Sequence, residues 1–96
     1  MKLLLIVYSG PSPSRIVELL EAHDAGGYTE MTGARGAGTS GRVEGTRAWP
    51  GSSTVLFTAV PDERVEEFET ALRAYREHAV SGERLHVGVI PTERFF

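Results

Sequence analysis

The order in which strands and helices are predicted along the chain restricts its fold more than any other feature. The first half begins with an apolar run, Leu3–Tyr8, which predicts a buried strand. Residues 13–24 follow Ser12-Pro13, a pair typical of a helix start, and they carry apolar side chains at helical spacing. Residues 28–35 alternate and are rich in Tyr and Thr, which predicts a second strand.

The second half repeats the order strand, helix, strand. Residues 53–60 predict a third strand, and Pro61-Asp62 is expected to open a second helix with acidic residues in its first turn. Residues 84–90 alternate as a fourth strand, which Pro91 ends. The side of this helix that is expected to be buried carries Val65, Phe68, Leu72, Tyr75 and Ala79.

This βαββαβ order predicts the ferredoxin-like α+β fold, a four-stranded antiparallel sheet with both helices on one face. A chain of 96 residues is expected to form a single domain, 1–96. The first and third strands carry apolar residues on both faces, so the face without helices should be apolar and bare. Such a face predicts self-association in a small closed ring, a dimer or a trimer.

Composition excludes several classes of function. The chain has no Cys, Asn or Gln, which excludes disulfides, zinc–thiolate sites and mechanisms that need a side-chain amide. Its longest apolar run is too short to insert in a membrane, so the cytoplasm is the expected compartment. A net charge of −3 gives no general attraction to nucleic acid, and no nucleic-acid partner is expected.

Six of the eleven glycines lie between residues 33 and 51. Residues 36–41 match the pattern GxGxxG, but the sequence after them does not open a helix, which argues against a dinucleotide-binding fingerprint. We therefore expect residues 36–51 to be a loop between two strands. Its glycines would let backbone N–H groups approach an anion, although a merely flexible hairpin loop is the alternative.

The same loop is basic, with Arg35, Arg42 and Arg47 against Glu44, whereas the second helix is acidic. This asymmetry favours an anionic ligand or partner at the loop, and scattered solvated charge is the alternative. Trp49 stands beside Pro50-Gly51, where it is either a contact anchor for a partner or packs over the base of the hairpin.

An enzymatic function is not expected. The three histidines lie far apart on separate elements, so no metal site is predicted, and no nucleophile motif is present. A small ferredoxin-like enzyme that uses Tyr8, His86 or Arg47 in a cleft beside the sheet is kept as an alternative.

Three stretches resemble the PII signal-transduction proteins, the relatives of nitrogen regulatory protein P-II. Gly41–Gly45 reads GRVEG, similar to the turn at the base of the long T-loop of that family. Val60-Pro61-Asp62 resembles the family's entry into its second helix. Ser81-Gly82-Glu83-Arg84 stands where the family has its phosphate-binding B-loop, and the first residues, MKLLLIV, resemble its first strand.

The resemblance implies a homotrimer that takes part in regulation, without catalysis, and binds an adenine nucleotide (ATP, ADP or AMP) in clefts between subunits. It implies that residues 36–52 act as a shortened T-loop that signals to a protein partner. Arg47 and Trp49 are the candidate partner-binding residues of this loop. The residues it places at the ligand are Gly36, Gly38, Gly41, Arg42, Arg84 and Arg94.

The chain departs from the family in ways that indicate a divergent, PII-like member. The loop is short and contains no tyrosine, so modification by uridylylation is not expected. Val43 replaces the family's Gln after Gly-Arg, and the B-loop has lost its lysine, which leaves Arg84 as the nearest cation. The trimeric CutA proteins, which share the fold, suggest the alternative of an interaction or structural protein without a small ligand.

Overall fold

The computed structural model describes residues 1–38, 41–43 and 53–96. The elements in chain order are β1 (Lys2–Ser9), α1 (Ser14–Ala22), β2 (Thr29–Ala34), β3 (Gly36–Gly38), β4 (Gly41–Val43), β5 (Ser53–Val60), a 3-10 turn (Asp62–Arg64), α2 (Val65–Glu77) and β6 (Arg84–Pro91). Four strands form an antiparallel sheet in the order β2-β5-β1-β6. The predicted ferredoxin-like fold is confirmed.

One hydrophobic core lies between the sheet and the two helices. Residues alternate in and out along β1, so that Leu4, Ile6 and Tyr8 are buried against the helices. Phe68 and Leu72 are buried on α2, as its apolar stripe predicts, whereas Ala79 lies beyond the end of the helix. The core comprises Leu4, Ile6, Tyr8, Ile16, Leu20, Leu56, Val60, Phe68, Leu72 and Leu85.

Helix α1 begins where the sequence predicts. Pro13 has helical dihedral angles (φ −61°, ψ −26°), and the Ser12 carbonyl accepts a hydrogen bond from Arg15 N–H at 3.1 Å. No side chain caps this start within the described residues, so the expected capping bond from Ser12 is not formed. At the other end of α1, Arg64 donates to the carbonyls of His23 and Asp24, which fixes α1 against the start of α2.

The prediction that residues 36–51 form an irregular loop is wrong for two short segments. Strands β3 and β4 pair antiparallel, with Gly36 opposite Val43 and Gly38 opposite Gly41. Three-residue strands that contain glycine have almost no side-chain periodicity, so the sequence carries no signal for them. Residues 39, 40 and 44–52 lie outside the described part of the chain.

The sheet face opposite the helices is apolar and carries no helix in the described structure. We call it the open face. Leu3, Leu5 and Val7 of β1 alternate onto it, beside Val55 and Phe57 of β5. This is the bare face that the sequence predicts. Among the described residues, no helix is both long and apolar enough to cross a membrane.

Candidate functional site

Four chain segments meet at one end of the sheet, which we call the loop end. Ser9 pairs with Arg84, and Ala34 pairs with Ser53. The connection from β1 to α1, the turn before β6 and both ends of segment 35–52 therefore leave the sheet at this end. The topology thus brings the base of the predicted T-loop close to the turn that resembles a B-loop.

Two buried hydroxyls join β1 and β5 at the loop end. The side-chain oxygens of Ser9 and Ser53 lie 2.7 Å apart, and both residues are buried. A hydroxyl pair satisfies the two polar groups mutually, which removes the cost of burying them. It also fixes the start of β5, and with it one end of segment 35–52, against β1.

A carboxylate with three hydrogen bonds organises the turn before β6. Glu83 Oε2 accepts hydrogen bonds from the hydroxyls of Tyr8 and Tyr75, the latter at 2.7 Å, and Oε1 accepts the N–H of Val80 at 2.8 Å. The N–H of Glu83 in turn donates to the Val80 carbonyl at 3.1 Å. The guanidinium of Arg15 lies 5.7 Å from the centre of the Tyr75 ring. Glu83 therefore links this turn to β1 and α2.

Tyr8 extends the network to the connection between β1 and α1. Its hydroxyl accepts a hydrogen bond from the N–H of Ser12 at 3.2 Å while it donates to Glu83. Gly10 packs against the same ring: a Cβ at this position would lie 2.5 Å from the Tyr8 hydroxyl oxygen, closer than any real contact. Only glycine therefore lets this connection pass over Tyr8 without displacing it.

The hydrogen bonds shift the acidities of all three groups. Burial by itself would raise the pKa of Glu83, but the hydrogen bonds from Tyr8, Tyr75 and the Val80 N–H outweigh it, and the pKa lies below its ordinary value. Burial and the hydrogen bond to Glu83 raise the pKa of both tyrosines above 10. Around neutral pH the cluster is therefore one carboxylate held by two neutral phenols.

This cluster makes stability depend on pH in a predictable direction. Because the folded-state pKa of Glu83 lies below the ordinary 4.5, its contribution is present above pH 4.5 and is lost as the pH falls through the folded pKa. The tyrosine contributions are lost only as the pH rises above 10. We expect the difference in unfolding free energy between wild type and Glu83→Gln, measured by denaturant titration, to shrink below pH 4.5. Tyr75→Phe removes one donor and should reduce that change, whereas a difference constant with pH would contradict the assignment.

The structure places the sequence-predicted ligand residues in two groups. Gly36 and Gly38 lie on β3, opposite the segment that holds Gly41 and Arg42, so these four positions are adjacent in one ladder. Arg47 and Trp49 lie outside the described residues, and their predicted role in partner binding stays a prediction.

Arg84 and Arg94 do not come together within one chain. Arg84 begins β6 at the loop end, whereas Arg94 lies in the tail beyond Pro91, the last residue of that strand. At about 3.3 Å per residue, the length of β6 separates the two ends by about 23 Å. Both arginines are exposed.

The alternative of a small enzyme rests on Tyr8, His86 or Arg47, and the structure separates the first two of these residues. Val7 pairs with His86 and Tyr8 with Leu85, so the two side chains lie on opposite faces of the sheet. Tyr8 is only 1% exposed, and because the pKa of its phenol is raised, the phenol stays protonated around neutral pH. Within one subunit these residues cannot line the same cleft.

Sequence reasoning missed the Glu83 cluster. Tyr8 reads as the end of an apolar strand and Tyr75 as part of an apolar helix stripe, so both count as core residues. The available signal was their hydroxyl groups, because a buried tyrosine needs a hydrogen-bond partner. Glu83, in the turn next to a predicted core, was the nearby acceptor.

A groove adjoins the open face at the end opposite the loop end. It has a volume of about 690 Å³ and is mostly apolar. Its lining residues are Met1, Leu3, Gly26, Gly27, Tyr28, Thr29, Phe57, Thr58, Ala59 and Phe95. The C-terminal tail thus forms part of its wall.

No protein-family model and no curated protein matches this chain in sequence. Solved structures match it in fold. CPII, a nitrogen regulatory PII-like protein from Thiomonas intermedia bound to ADP, AMP and bicarbonate, is 23% identical, with a TM-score of 0.68 over 93% of this chain and 86% of CPII. CPII bound to ADP and bicarbonate is 24% identical, with a TM-score of 0.67 over the same shares of the two chains.

The solved structure of a second protein also matches this chain in fold. A chain from Thermus thermophilus, described as a PII-like signaling protein, is 28% identical, with a TM-score of 0.62 over 93% of this chain and 84% of that one. The resemblance to PII-like proteins that the sequence indicates is therefore confirmed, and it extends over most of the chain.

Proposed function

We propose that this chain is a PII-like regulatory protein that binds a small anionic ligand, an adenine nucleotide, between the subunits of a homotrimer. The observation that carries the proposal is the fold match to CPII over 93% of the chain, because solved structures of CPII hold ADP and AMP. The proposal treats residues 1–96 as one PII-like domain located in the cytoplasm and without catalytic activity. Its nitrogen-regulatory context is an inference from the same relatives.

The open face supports the trimer. Leu3, Leu5, Val7, Val55 and Phe57 form a contiguous apolar surface on the central strands, where solvent contact is unfavourable. Packing three such faces around an axis would remove this surface from water in a closed ring.

The positions of the two arginines support a site shared between subunits. Arg84 and Arg94 lie at opposite ends of β6, so one ligand can contact both only if they come from different copies. Guanidinium groups donate in a planar fork that suits phosphate oxygens. In this arrangement Arg84 and the β3–β4 ladder of one subunit meet Arg94 of the next.

The proposed output is the 36–52 segment. Gly36, Gly38, Gly41 and Arg42 would contact the phosphates at the base of this segment, since glycines leave backbone N–H groups accessible to an anion. Binding would then bias the conformation of 36–52, which presents Arg47 and Trp49 to a protein partner.

Calorimetric titration with AMP, ADP, ATP and cyclic AMP tests the proposal directly. We expect saturable heat with at least one nucleotide and a roughly 10- to 100-fold loss of affinity in Arg42→Ala and in Arg84→Ala, since hydrogen bonds between charged groups are the strong ones. Glu18→Ala on α1 is the matched control and should bind as wild type does. An absence of heat with every nucleotide would contradict the proposal.

The second candidate is a trimeric interaction protein without a small ligand, as in the CutA-like alternative. The observation that favours it is the zero net charge of the turn Val80–Arg84, where Glu83 offsets Arg84. Native mass spectrometry of the purified protein separates the two functions, because it reports the number of subunits and any retained nucleotide together. A trimer that neither retains nor binds a nucleotide would support the second candidate.

A further inference from the structure

We propose that Glu83 is a specificity-determining residue, which makes this site favour nucleoside mono- and diphosphates over triphosphates. The inference rests on the proposed function, because it assumes that the ligand's phosphates lie at the loop end near Arg84. It concerns how much negative charge that site accepts.

The charge of the turn is the first argument. Val80–Arg84 carries one acid and one base, so it presents no net positive charge to a ligand. Each phosphate added to a nucleotide brings further negative charge, which an electroneutral turn does not offset. The positive charge of Arg15 on α1 acts on Glu83 as well, since it contributes to the lowered pKa of that carboxyl.

The fixed position of the carboxylate is the second argument. A surface glutamate can rotate away from an incoming anion, but Glu83 is held by Tyr8, Tyr75 and the N–H of Val80. Leaving this position would cost three hydrogen bonds and leave two phenol groups without an acceptor. Its negative charge therefore stays in the turn that leads into Arg84, whether or not a ligand is bound.

The backbone donors of the turn are the third argument. A loop that binds polyphosphate offers several free N–H groups to the phosphate oxygens. Here the N–H of Val80 donates to Glu83 Oε1, and the N–H of Glu83 donates to the Val80 carbonyl. Two donors of this short turn are thus used internally, which limits the number of phosphate oxygens that it can satisfy.

Removing a fixed negative charge from the turn should change the affinities for ATP and AMP by different factors. A single charge several ångströms from the ligand is expected to change the affinity by about 3- to 10-fold for each additional negative charge on that ligand. A variant that loses structure would bind all three nucleotides more weakly by a similar factor. A purely electrostatic change would alter the affinity for each nucleotide by a factor that depends on its charge. The ratio of the ATP to the AMP dissociation constant therefore isolates the proposed role.

The experiment is a titration of wild type and Glu83→Gln with AMP, ADP and ATP without magnesium at a fixed salt concentration. Glutamine keeps the size of the side chain and one acceptor oxygen, and it removes the charge. Because ATP without magnesium carries about two more negative charges than AMP, we expect the ratio of the ATP to the AMP dissociation constant to fall about 10-fold or more. Glu18→Gln removes the same charge from the exposed side of α1 and should leave the ratio unchanged.

A second variant keeps the inference testable if Glu83→Gln does not fold. Ser81→Lys adds a positive charge to the turn at an exposed position and leaves every contact of Glu83 in place. It should lower the same ratio. Nucleotide binding with an unchanged ratio in both variants would overturn the role of Glu83 and leave the proposed function standing, whereas a wild type that binds no nucleotide would overturn both.

Discussion

Leu5→Glu is expected to convert the proposed trimer into monomers. Leu5 lies in the middle of β1, between Phe57 on one side and Gly88 on the other, at the centre of the open face. If three such faces pack together, the substitution places a carboxylate without a partner in each buried contact. An unpaired buried charge costs several kcal/mol, and a closed ring would contain one such charge in every contact.

The measurement is the subunit number from native mass spectrometry, with circular dichroism to establish that the variant is folded. Leu5 is only half-buried within the subunit, so a glutamate there can reach solvent once the copies separate. Thr70→Glu, which adds the same charge to the exposed side of α2, is the matched control and should remain assembled. A Leu5→Glu protein with the subunit number of wild type would show that the open face is not the contact.

The fold was predictable because the signals that define it are repeated and strong. The continuous apolar run of β1, the alternation of β6 and the stripe that includes Phe68 and Leu72 are each produced by burial in one core. The same burial pattern predicts the open face, because Leu3, Leu5 and Val7 are apolar although neither of the two described helices covers them. Residues that are buried in one core recur at a regular spacing in the sequence, and this spacing is what makes the elements predictable.

The site was less predictable because its contacts are made by polar side chains, which do not recur at a regular spacing along the sequence. The bond between Glu83 and Tyr8 joins residues that are 75 positions apart, and the bond between Ser9 and Ser53 joins residues 44 apart. Such pairs follow from the strand register rather than from local sequence. The β3–β4 ladder escaped prediction for a different reason, since Gly36 and Gly38 carry no side chains to alternate.

Register also changes how the arginines should be interpreted. From the sequence, Arg84 and Arg94 can be placed at one ligand because both follow motifs that resemble those of a single family. The structure puts the whole of β6 between them. A ligand that contacts both arginines therefore requires a second copy of the chain. Assigning Arg84 and Arg94 to one ligand is thus also a prediction that the protein assembles.

Mixing two variants that each bind nucleotide weakly is expected to restore tight binding at some of the sites. Arg84→Ala and Arg94→Ala should each lose about 10- to 100-fold in affinity for the nucleotide that wild type binds, because each removes a charge-assisted contact. In a randomly mixed cyclic trimer, a site regains both arginines when a subunit with intact Arg84 precedes one with intact Arg94. This arrangement occurs at about one quarter of the sites.

The measurement is the stoichiometry of tight binding after the two variants are co-expressed and purified as one assembly. Arg84→Ala carried alone through the same procedure is the control and should show no tight sites. About a quarter of the wild-type stoichiometry in the mixture would support a ligand held between neighbouring copies, since no subunit in it carries both arginines. A mixture as weak as its components would contradict a ligand held between Arg84 of one copy and Arg94 of the next.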